Sequence, residues 1–399
     1  MRSVRVLVHL NNLALGGAQL NAVDIARTLR DRGHQPVLFA QGVDGPAPLV
    51  DLAAEHGLDL VVAGDPGTPH AVVRARLSRL AAEHGSQVVH AWEVRAARNA
   101  YFGPGRQGRI PIVTTFYGIR MLRGMPRYQP LVLGLGALVP DGRAFGHRDV
   151  RLIEPPVDTD SDAPGAVSGA AFRAEVGASD GRLLLCIVTR LVSGLEKDAG
   201  VSRTIAALRL LDDPDLVLAV VGGGPSEQHL RAEAAAVNEE LGREAIVLTG
   251  QRPDPRPAYQ AADIVLGMGG SALRGLAFAK PVIVHGASGY TAVHEPGPLV
   301  EPHASRCMYG HGDHPADAKA LAAQIRTLAD APDRRAELGS WGRDWVVGRF
   351  SLGHVSTAFE EIYRELLRQP PGRTAWLRDL EQMTRYEFVK PTARRLLGR

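Results

Sequence analysis

The sequence has little cysteine, little net charge and no long apolar run, and each scarcity excludes a class of protein. Only two of its 399 residues are cysteines, so a disulfide framework is excluded. A formal net charge of +3 gives no electrostatic bias toward nucleic acid, and we expect no nucleic-acid partner. No apolar run reaches the ~18 residues of a membrane span, and the N-terminal stretch is too short for a signal peptide. We therefore expect a cytoplasmic protein, soluble or at most peripheral at the inner face of the membrane.

Glycine, by contrast, is abundant, and one glycine-rich turn lies between a predicted strand and a predicted helix. The strand covers residues 262–266 and the helix residues 272–279, with Ser271 as its predicted N-cap. The turn between them consists of Gly267, Met268, Gly269 and Gly270. A strand, a glycine turn and a helix N-terminus together present unpaired N–H groups and the positive end of a helix dipole. This arrangement predicts an anion site, most often for phosphate.

Arg274 is predicted to lie in the first turn of this helix. A cation there is disfavoured by roughly 0.3–1 kcal/mol, because it faces the positive end of the helix dipole. The sequence therefore favours an anionic partner for Arg274 that outweighs this penalty. The alternative is an arginine that is simply solvated on an exposed turn.

Predicted strands and helices alternate along both halves of the chain, which are separated by a proline-rich and then Gly/Ala-rich linker. Such alternation is typical of doubly wound parallel sheets, which bind ligands at the carboxyl ends of their strands. We predict an α/β protein of two Rossmann-like domains facing across a cleft. The predicted segments are an N-terminal domain over 1–165, a C-terminal domain over 166–348, a helix over 349–368 that returns to the first domain, and a basic amphipathic tail over 369–399.

Short motifs mark the ends of the predicted strands in both halves. In chain order they are Gly16-Gly17-Ala18-Gln19, Thr115-Phe116-Tyr117-Gly118, Thr189-Arg190-Leu191 with Lys197, Val221-Gly222-Gly223-Gly224-Pro225 and Tyr259-Gln260-Ala261-Ala262-Asp263. In this order, and over roughly residues 4–368, the chain resembles the GT-B nucleotide-sugar glycosyltransferases of the retaining glycosyltransferase family four group. The resemblance implies the GT-B fold, an acceptor-binding first domain and a second domain that binds a nucleoside-diphosphate sugar.

The resemblance also implies roles for individual residues. Arg190 and Lys197 correspond to the pair that neutralises the donor diphosphate, and Tyr117 stands where the family has a histidine at the reacting face. These three are the predicted catalytic residues. The predicted donor-binding residues are Gly17, Gly223, Gly267, Met268, Gly269, Gly270, Ser271 and Arg274. The predicted acceptor-binding residues are Gly16, Glu93 and Tyr117.

Two positions depart from the family pattern. The family has a pair of glutamates eight positions apart around its glycine turn, and here those positions hold Leu266 and Arg274. In the family the second glutamate holds the ribose hydroxyls, whereas a guanidinium can only donate hydrogen bonds. The ribose contact must therefore come from another group, or the donor differs.

We accordingly predict retaining glycosyl transfer, in which protein cations and amides stabilise the departing diphosphate without a metal or another cofactor. The histidines His303, His311 and His314 near Cys307 match no standard ligand spacing, so no metal site is predicted.

The identity of the acceptor is left open by the sequence and could be a lipid-linked glycan, a polysaccharide or a small molecule. One alternative is a catalytically impaired homologue that binds nucleotide as a partner subunit. Another is an epimerase of related architecture, which would need a carboxylate pair that the sequence does not offer.

The tail from Gln369 onward is basic and carries scattered aromatic residues. Such a segment could lie on an anionic membrane surface. The favoured alternative is a C-terminal helix that packs on the protein body.

Overall fold

The computed structural model describes residues 3–14, 16–178, 181–286, 289–310 and 317–389. It divides into two compact units. The first comprises residues 1–156 and 352–399, and the second residues 157–351.

The first unit is a seven-stranded parallel sheet with the strand order β3-β2-β1-β4-β5-β6-β7. Its strands are Arg5–His9 (β1), Gln35–Ala40 (β2), Leu60–Val62 (β3), Val88–Trp92 (β4), Ile112–Phe116 (β5), Leu131–Leu133 (β6) and Val150–Leu152 (β7). Its helices are Gly17–Asp31 (α1), Pro48–Glu55 (α2), His70–Glu83 (α3), Glu93–Phe102 (α4), Val139–Ala144 (α5), Leu352–Arg368 (α14) and Gly372–Thr384 (α15). The strand order reverses between β1 and β4, which is where doubly wound sheets bind their ligands.

Apolar side chains cover both faces of this sheet, as a parallel sheet requires. Helices α1 and α14 close one face through residues such as Val23 and Phe359. Helices α3, α4 and α15 contribute to the other core through Leu77, Ala97 and Trp376. The C-terminal helices are therefore part of the first unit.

The second unit is a six-stranded sheet with the order β10-β9-β8-β11-β12-β13, in which only β13 runs antiparallel. Its strands are Leu183–Val188 (β8), Leu216–Val221 (β9), Ile246–Gly250 (β10), Ile264–Gly267 (β11), Val282–His285 (β12) and Thr291–Val293 (β13). Its helices are Ala170–Glu175 (α6), Lys197–Leu211 (α7), Glu227–Leu241 (α8), Arg256–Ala261 (α9), Gly270–Ala277 (α10), Val300–Ser305 (α11), Ala318–Ala329 (α12) and Pro332–Phe350 (α13). The predicted α/β class with two Rossmann-like domains is confirmed.

The chain enters the second unit at Val157, before the boundary of 165 drawn from composition. The amide of Val157 donates to the carbonyl of Phe350 at 2.8 Å, which fixes the linker to the end of α13. Asp162 lies in the same linker and forms an ion pair with Arg274 of α10. These contacts explain why residues 157–165 belong to the second unit although their composition is typical of a linker.

Helix α15 packs on the first unit, which was the favoured interpretation of the tail. The ring of Trp376 stacks on Tyr101 with centroids 5.4 Å apart, and its indole N–H donates to the Tyr101 carbonyl at 3.2 Å. The buried Asp379 accepts from the backbone amides of Arg127 and Tyr128. Tail residues 390–399 lie outside the described residues, and none of the described helices has both the length and the apolarity to cross a bilayer.

Candidate donor and acceptor sites

The loop that follows β8 carries Arg190 and is fixed by backbone hydrogen bonds to the turn that follows β9. The amide of Thr189 donates to the carbonyl of Val221 at 2.9 Å, and that of Leu191 donates to Gly223 at 3.0 Å. In return the amide of Ser226 donates to the carbonyl of Leu191 at 3.0 Å. The position of Arg190 is therefore set by the glycine turn of the neighbouring strand.

Two glycines of that turn are required by geometry. Gly222 and Gly224 have φ values of +150° and +153°, which side-chain-bearing residues rarely adopt. A Cβ atom on Gly222 would lie 1.7 Å from the carbonyl oxygen of Thr189, and one on Gly224 would lie 2.4 Å from that of Leu191. The predicted donor residue Gly223 lies between them and has no such clash with the backbone. The glycines on either side of it hold the Arg190 loop in place.

Gly222→Ala is therefore expected to lower the free energy of unfolding of the second unit by about 3 kcal/mol or more, because the overlap with Thr189 cannot relax locally. Urea unfolding followed by circular dichroism measures this loss. Gly348→Ala is the matched control, since a Cβ there meets no atom within 4 Å and the position is helical. Equal unfolding midpoints for the two variants would contradict the steric argument.

Arg190 and Lys197 act on each other electrostatically. Lys197 is the first residue of α7 and is partly buried. Burial lowers the pKa of its ammonium group, and the neighbouring charge of Arg190 lowers it further. Two cations placed this close repel each other, and an anion between them would relieve that repulsion. The loop before α7 is also strained, because Leu195 and Glu196 both have left-handed backbones.

The N-terminus of α10 differs from its prediction in one respect. The helix begins at Gly270, and its N-cap is Gly269, not Ser271. Gly269 has φ +57° and ψ −137°, a conformation that glycine adopts without strain, and this backbone turn sets the start of the helix. The hydroxyl of Ser271 instead lies 3.2 Å from that of Tyr259. The first amides of α10 still have no intrahelical acceptor, so the predicted anion-binding geometry is present.

Arg274 lies in the last turn of α10, so the prediction that it lies in the first turn is wrong. The helix is short and begins before Ser271, which places a cation at 274 near the favourable end of the dipole. Its guanidinium Nε is 3.1 Å from Oδ2 of the buried Asp162. Burial raises the pKa of Asp162, and the charge of Arg274 opposes that rise. The anionic partner of Arg274 in this structure is thus a carboxylate of the chain itself.

Leu266, at the position of the family's first glutamate, is fully buried in the hydrophobic core of the second unit. Met268 is also buried. Gly267 leaves room for the side chain of Ser271, because a Cβ atom placed on Gly267 would lie only 2.9 Å from Ser271 Oγ. The side chains around this turn therefore pack inward. The groups that it offers to a ligand are backbone amides.

One residue near this turn was not predicted. Tyr309 lies against Gly269, because a Cβ at that glycine would be 3.1 Å from the Tyr309 hydroxyl. The charge of Arg190 also acts on Tyr309. Tyr309 therefore contacts the α10 N-terminus and lies within electrostatic reach of the Arg190 loop. It follows a segment without recognisable periodicity, so no local pattern predicts that it lies near Gly269.

The predicted acceptor residues lie at the carboxyl ends of strands in the first unit. Glu93 begins α4, directly after β4, and its Oε1 accepts a hydrogen bond from the backbone amide of Tyr117 at 3.2 Å. Burial raises the pKa of Glu93, and its φ of +77° is unusual for a residue with a side chain. The ring of Tyr117 meets Trp92 edge-on with centroids 5.3 Å apart. The structure thus brings Glu93 and Tyr117 together.

Gly16 and Gly17 form the start of α1, after β1 of the same sheet. Gly16 is the N-cap and Gly17 the first helical residue. A Cβ on Gly16 would lie 2.7 Å from Oε1 of Gln19, whose amide nitrogen donates to Asn12 at 3.2 Å. This is a second helix N-terminus whose first amides have no intrahelical acceptor.

The histidines considered for a metal site have other roles where they are described. His303 is buried and bonds through Nε2 to the Tyr290 hydroxyl at 2.6 Å and through Nδ1 to His294 at 2.9 Å. Within residues 3–14, 16–178, 181–286, 289–310 and 317–389, no group of three or more His, Cys, Asp or Glu side chains could hold a metal ion. His311 and His314 lie outside the described residues.

Two sequence families match the chain, one over each unit. Residues 15–135 match the family described as Glycosyltransferase Family 4, and residues 183–331 match Glycosyl transferases group 1. The two matches together span about two-thirds of the chain. Because the chain folds into two doubly wound units and matches these two families, it belongs to the GT-B glycosyltransferases of the family 4 type. It is therefore a glycosyltransferase enzyme.

Individual relatives agree with this assignment. The chain is 27% identical over 351 residues to a GDP-mannose-dependent alpha-(1-6)-phosphatidylinositol monomannoside mannosyltransferase of Mycolicibacterium smegmatis, covering 79% of this chain and 86% of that protein. A glycosyltransferase of Rickettsia africae has the same fold, with a TM-score of 0.74, 17% identity and coverage of 92% and 100% of the two chains. The HepE protein of Anabaena, solved with UDP, gives a TM-score of 0.70 at 17% identity, covering 91% and 100%.

Proposed function

We propose that this protein transfers a sugar from a nucleoside-diphosphate sugar to an acceptor hydroxyl, with retention at the anomeric carbon. The observation that carries the proposal is the arrangement at one edge of the second sheet. There the mutually repelling Arg190 and Lys197 and the amide-rich N-terminus of α10 all follow the carboxyl ends of strands. Such a set of donors suits a diphosphate and has no evident use without one.

Catalysis in this proposal is electrostatic. The bond between the anomeric carbon and the diphosphate oxygen breaks, and negative charge grows on the leaving diphosphate. Arg190, Lys197 and the amides of Gly270 and Ser271 stabilise that charge because they are held in place before the reaction begins, whereas the predicted amide of Gly269 already donates to the Met308 carbonyl. The protein supplies the cations itself, so the proposal includes no metal.

Arg274 has a different role in this proposal from the one predicted for it. Its ion pair with the buried Asp162 favours a positioning role, in which it fixes the 157–165 linker segment to α10. The side chain is 43% exposed, so part of the guanidinium faces solvent. We therefore leave Arg274 out of the diphosphate ligands.

The acceptor is proposed to bind to the first unit near Gly16, Glu93 and Tyr117. The pKa of the Glu93 carboxyl is raised by burial, and a carboxyl of raised pKa suits the exchange of a proton with a hydroxyl near neutral pH. The carboxyl is also held by the Tyr117 amide. The polar Asn12 and Gln19 side chains beside Gly16 provide further hydrogen-bonding groups for a sugar or polyol.

The donor is best identified with a panel of GDP, GDP-mannose, UDP and UDP-glucose, since the relatives described above are associated with GDP-mannose and UDP. A ligand present at about 100 times its Kd stabilises the folded state by about 2.7 kcal/mol, which raises Tm by roughly 5–10 °C. We expect one nucleoside diphosphate and its sugar to give such a shift, followed by release of diphosphate on incubation with the sugar donor.

Failure of every compound in the panel to shift Tm would contradict the proposed function. A shift without hydrolysis or transfer, in the presence of candidate acceptors, would instead favour the nucleotide-binding partner subunit.

A further inference from the structure

The segment over residues 307–310 has a backbone that is unusual for its sequence. Cys307, Met308 and Gly310 have φ values of +48°, +60° and +72°, so two residues with side chains adopt left-handed conformations in succession. Such residues persist only where surrounding contacts hold them, and they concentrate at functional sites. This turn, which we call the 307–310 turn, ends helix α11 beside the N-terminus of α10.

Several contacts hold the turn in this conformation. The amide of Met308 donates to the carbonyl of His303 at 2.7 Å, and the Met308 carbonyl accepts from the amide of Gly269 at 3.3 Å. The buried side chain of His303 in α11 is hydrogen-bonded to both Tyr290 and His294, and these bonds anchor the helix that precedes the turn. The backbone of Tyr309 also packs directly on Gly286, where a Cβ would lie 2.0 Å from the Tyr309 carbonyl oxygen. The turn is thus built against two strand ends of the sheet, those of β11 and β12.

The conformation of the 307–310 turn places the phenol of Tyr309 beside the N-terminus of α10. A Cβ on Gly269, the N-cap of α10, would lie 3.1 Å from both Cζ and the hydroxyl of Tyr309. The described residues provide no hydrogen-bond partner for this hydroxyl, although the side chain is partly buried. Burial raises the pKa of Tyr309 to about 12, the main effect, and the charge of Arg190 opposes it. The phenol is therefore protonated at neutral pH and can donate a hydrogen bond.

We propose that Tyr309 is a donor-binding residue whose hydroxyl donates a hydrogen bond to a phosphate oxygen of the nucleoside diphosphate at the N-terminus of α10. This inference rests on the proposed function, since it assigns a further ligand to the same donor site. This role explains why the 307–310 turn keeps a strained backbone. The strained turn places the neutral hydroxyl of Tyr309, a hydrogen-bond donor, next to the first amides of α10 and within electrostatic reach of Arg190. It also adds a contact that the glycine turn and the two cations alone do not provide.

The test is Tyr309→Phe, which removes only the hydroxyl and keeps the ring against Gly269. A hydrogen bond to a charged group is worth about 1.5 kcal/mol or more, so we expect Kd for GDP or UDP, and for inorganic pyrophosphate, to rise about tenfold. Binding of the nucleoside without phosphate should not change. Isothermal titration calorimetry measures all three. Tyr128→Phe is the matched control, because Tyr128 lies in the first unit, and it should bind as the wild type does.

The outcomes separate this inference from the proposed function. If the wild type binds none of these compounds, the proposed function and this inference both fail. If the wild type binds them and Arg190→Ala weakens binding, but Tyr309→Phe stays within twofold of the wild type, only the role of Tyr309 is overturned. Equal unfolding midpoints of Tyr309→Phe and wild type would show that a change in Kd does not come from misfolding.

Discussion

Replacing either Arg190 or Lys197 with alanine is expected to lower donor turnover by about 10²–10³-fold. Each side chain is proposed to stabilise charge that grows on the leaving diphosphate, and loss of one preorganised group of this kind has effects of that size. Stability should change little, because Arg190 is exposed and its repulsion with Lys197 is removed in either variant. Release of nucleoside diphosphate from the donor identified by the panel measures turnover.

Two surface variants of the second unit serve as controls for this experiment. Arg209 lies on the same helix as Lys197 and is 56% exposed, and Lys319 is an exposed residue of α12. Arg209→Ala and Lys319→Ala remove the same charges away from the proposed site and should keep wild-type turnover. If Arg190→Ala and Lys197→Ala also kept near wild-type turnover, the assignment of the diphosphate site would be wrong.

Acidification is expected to destabilise both units well before the carboxylates are fully protonated. Five buried histidines have pKa values lowered mainly by desolvation: His9, His147 and His285 to about 4, and His90 and His294 to about 3. Each is neutral when folded but takes up a proton near pH 6.5 when unfolded. The stability that each contributes is fully present above pH 6.5 and is lost as pH falls toward the folded-state pKa.

At pH 5 each of these histidines should have lost about 2 kcal/mol of stabilisation relative to pH 7.5, an appreciable part of the 5–15 kcal/mol typical of a domain. Glu93, Asp162 and Asp379 have pKa values raised by burial and act in the opposite sense, so the total loss is smaller than the sum. Urea unfolding at pH 7.5 and pH 5 measures the difference. His229→Gln should leave it unchanged, because His229 is 71% exposed. Equal midpoints at the two pH values would show that the buried histidines are not held neutral.

His90 illustrates why these histidines are structural. Its Nδ1 lies 2.7 Å from the Tyr363 hydroxyl and its Nε2 2.7 Å from Thr115 Oγ1, so both ring nitrogens are satisfied within the first unit. Tyr363 belongs to α14, which follows the second unit in the chain. His90 lies in the middle of β4 and helps to fix the returning helix, so its ring has a structural role within the first unit.

The sequence was sufficient to predict the elements with strong local signals. The strand predicted over 262–266 and the returning helix predicted over 349–368 lie within a few residues of the observed β11 and α14. Helix α4 and strands β6, β7 and β13 were not predicted. The three strands have three residues each, too few for periodicity to identify, and they are stabilised by pairing with neighbours rather than by local preference.

The errors at the candidate site have a common physical cause. Ser271 is a good N-cap by residue type, but the positive φ of Gly269 starts the helix earlier, and this depends on the fold around Met308. The partner of Arg274 is Asp162, which lies more than a hundred residues earlier in the chain. Tyr309 reaches Gly269 through a left-handed turn that no local pattern indicates. Local signals located the anion-binding turn, but its side-chain neighbours are determined by tertiary contacts.

The central claim is that the second unit binds a diphosphate through Arg190, Lys197 and the first amides of α10. Calorimetric titration of the wild type and of the Arg190→Ala/Lys197→Ala double variant with the preferred nucleoside diphosphate and with its nucleoside tests this claim most directly. We expect the wild type to prefer the diphosphate by about a hundredfold or more, consistent with about 3 kcal/mol from two charge-assisted contacts, and the double variant to lose most of that preference. A double variant that kept the wild-type preference would contradict the claim.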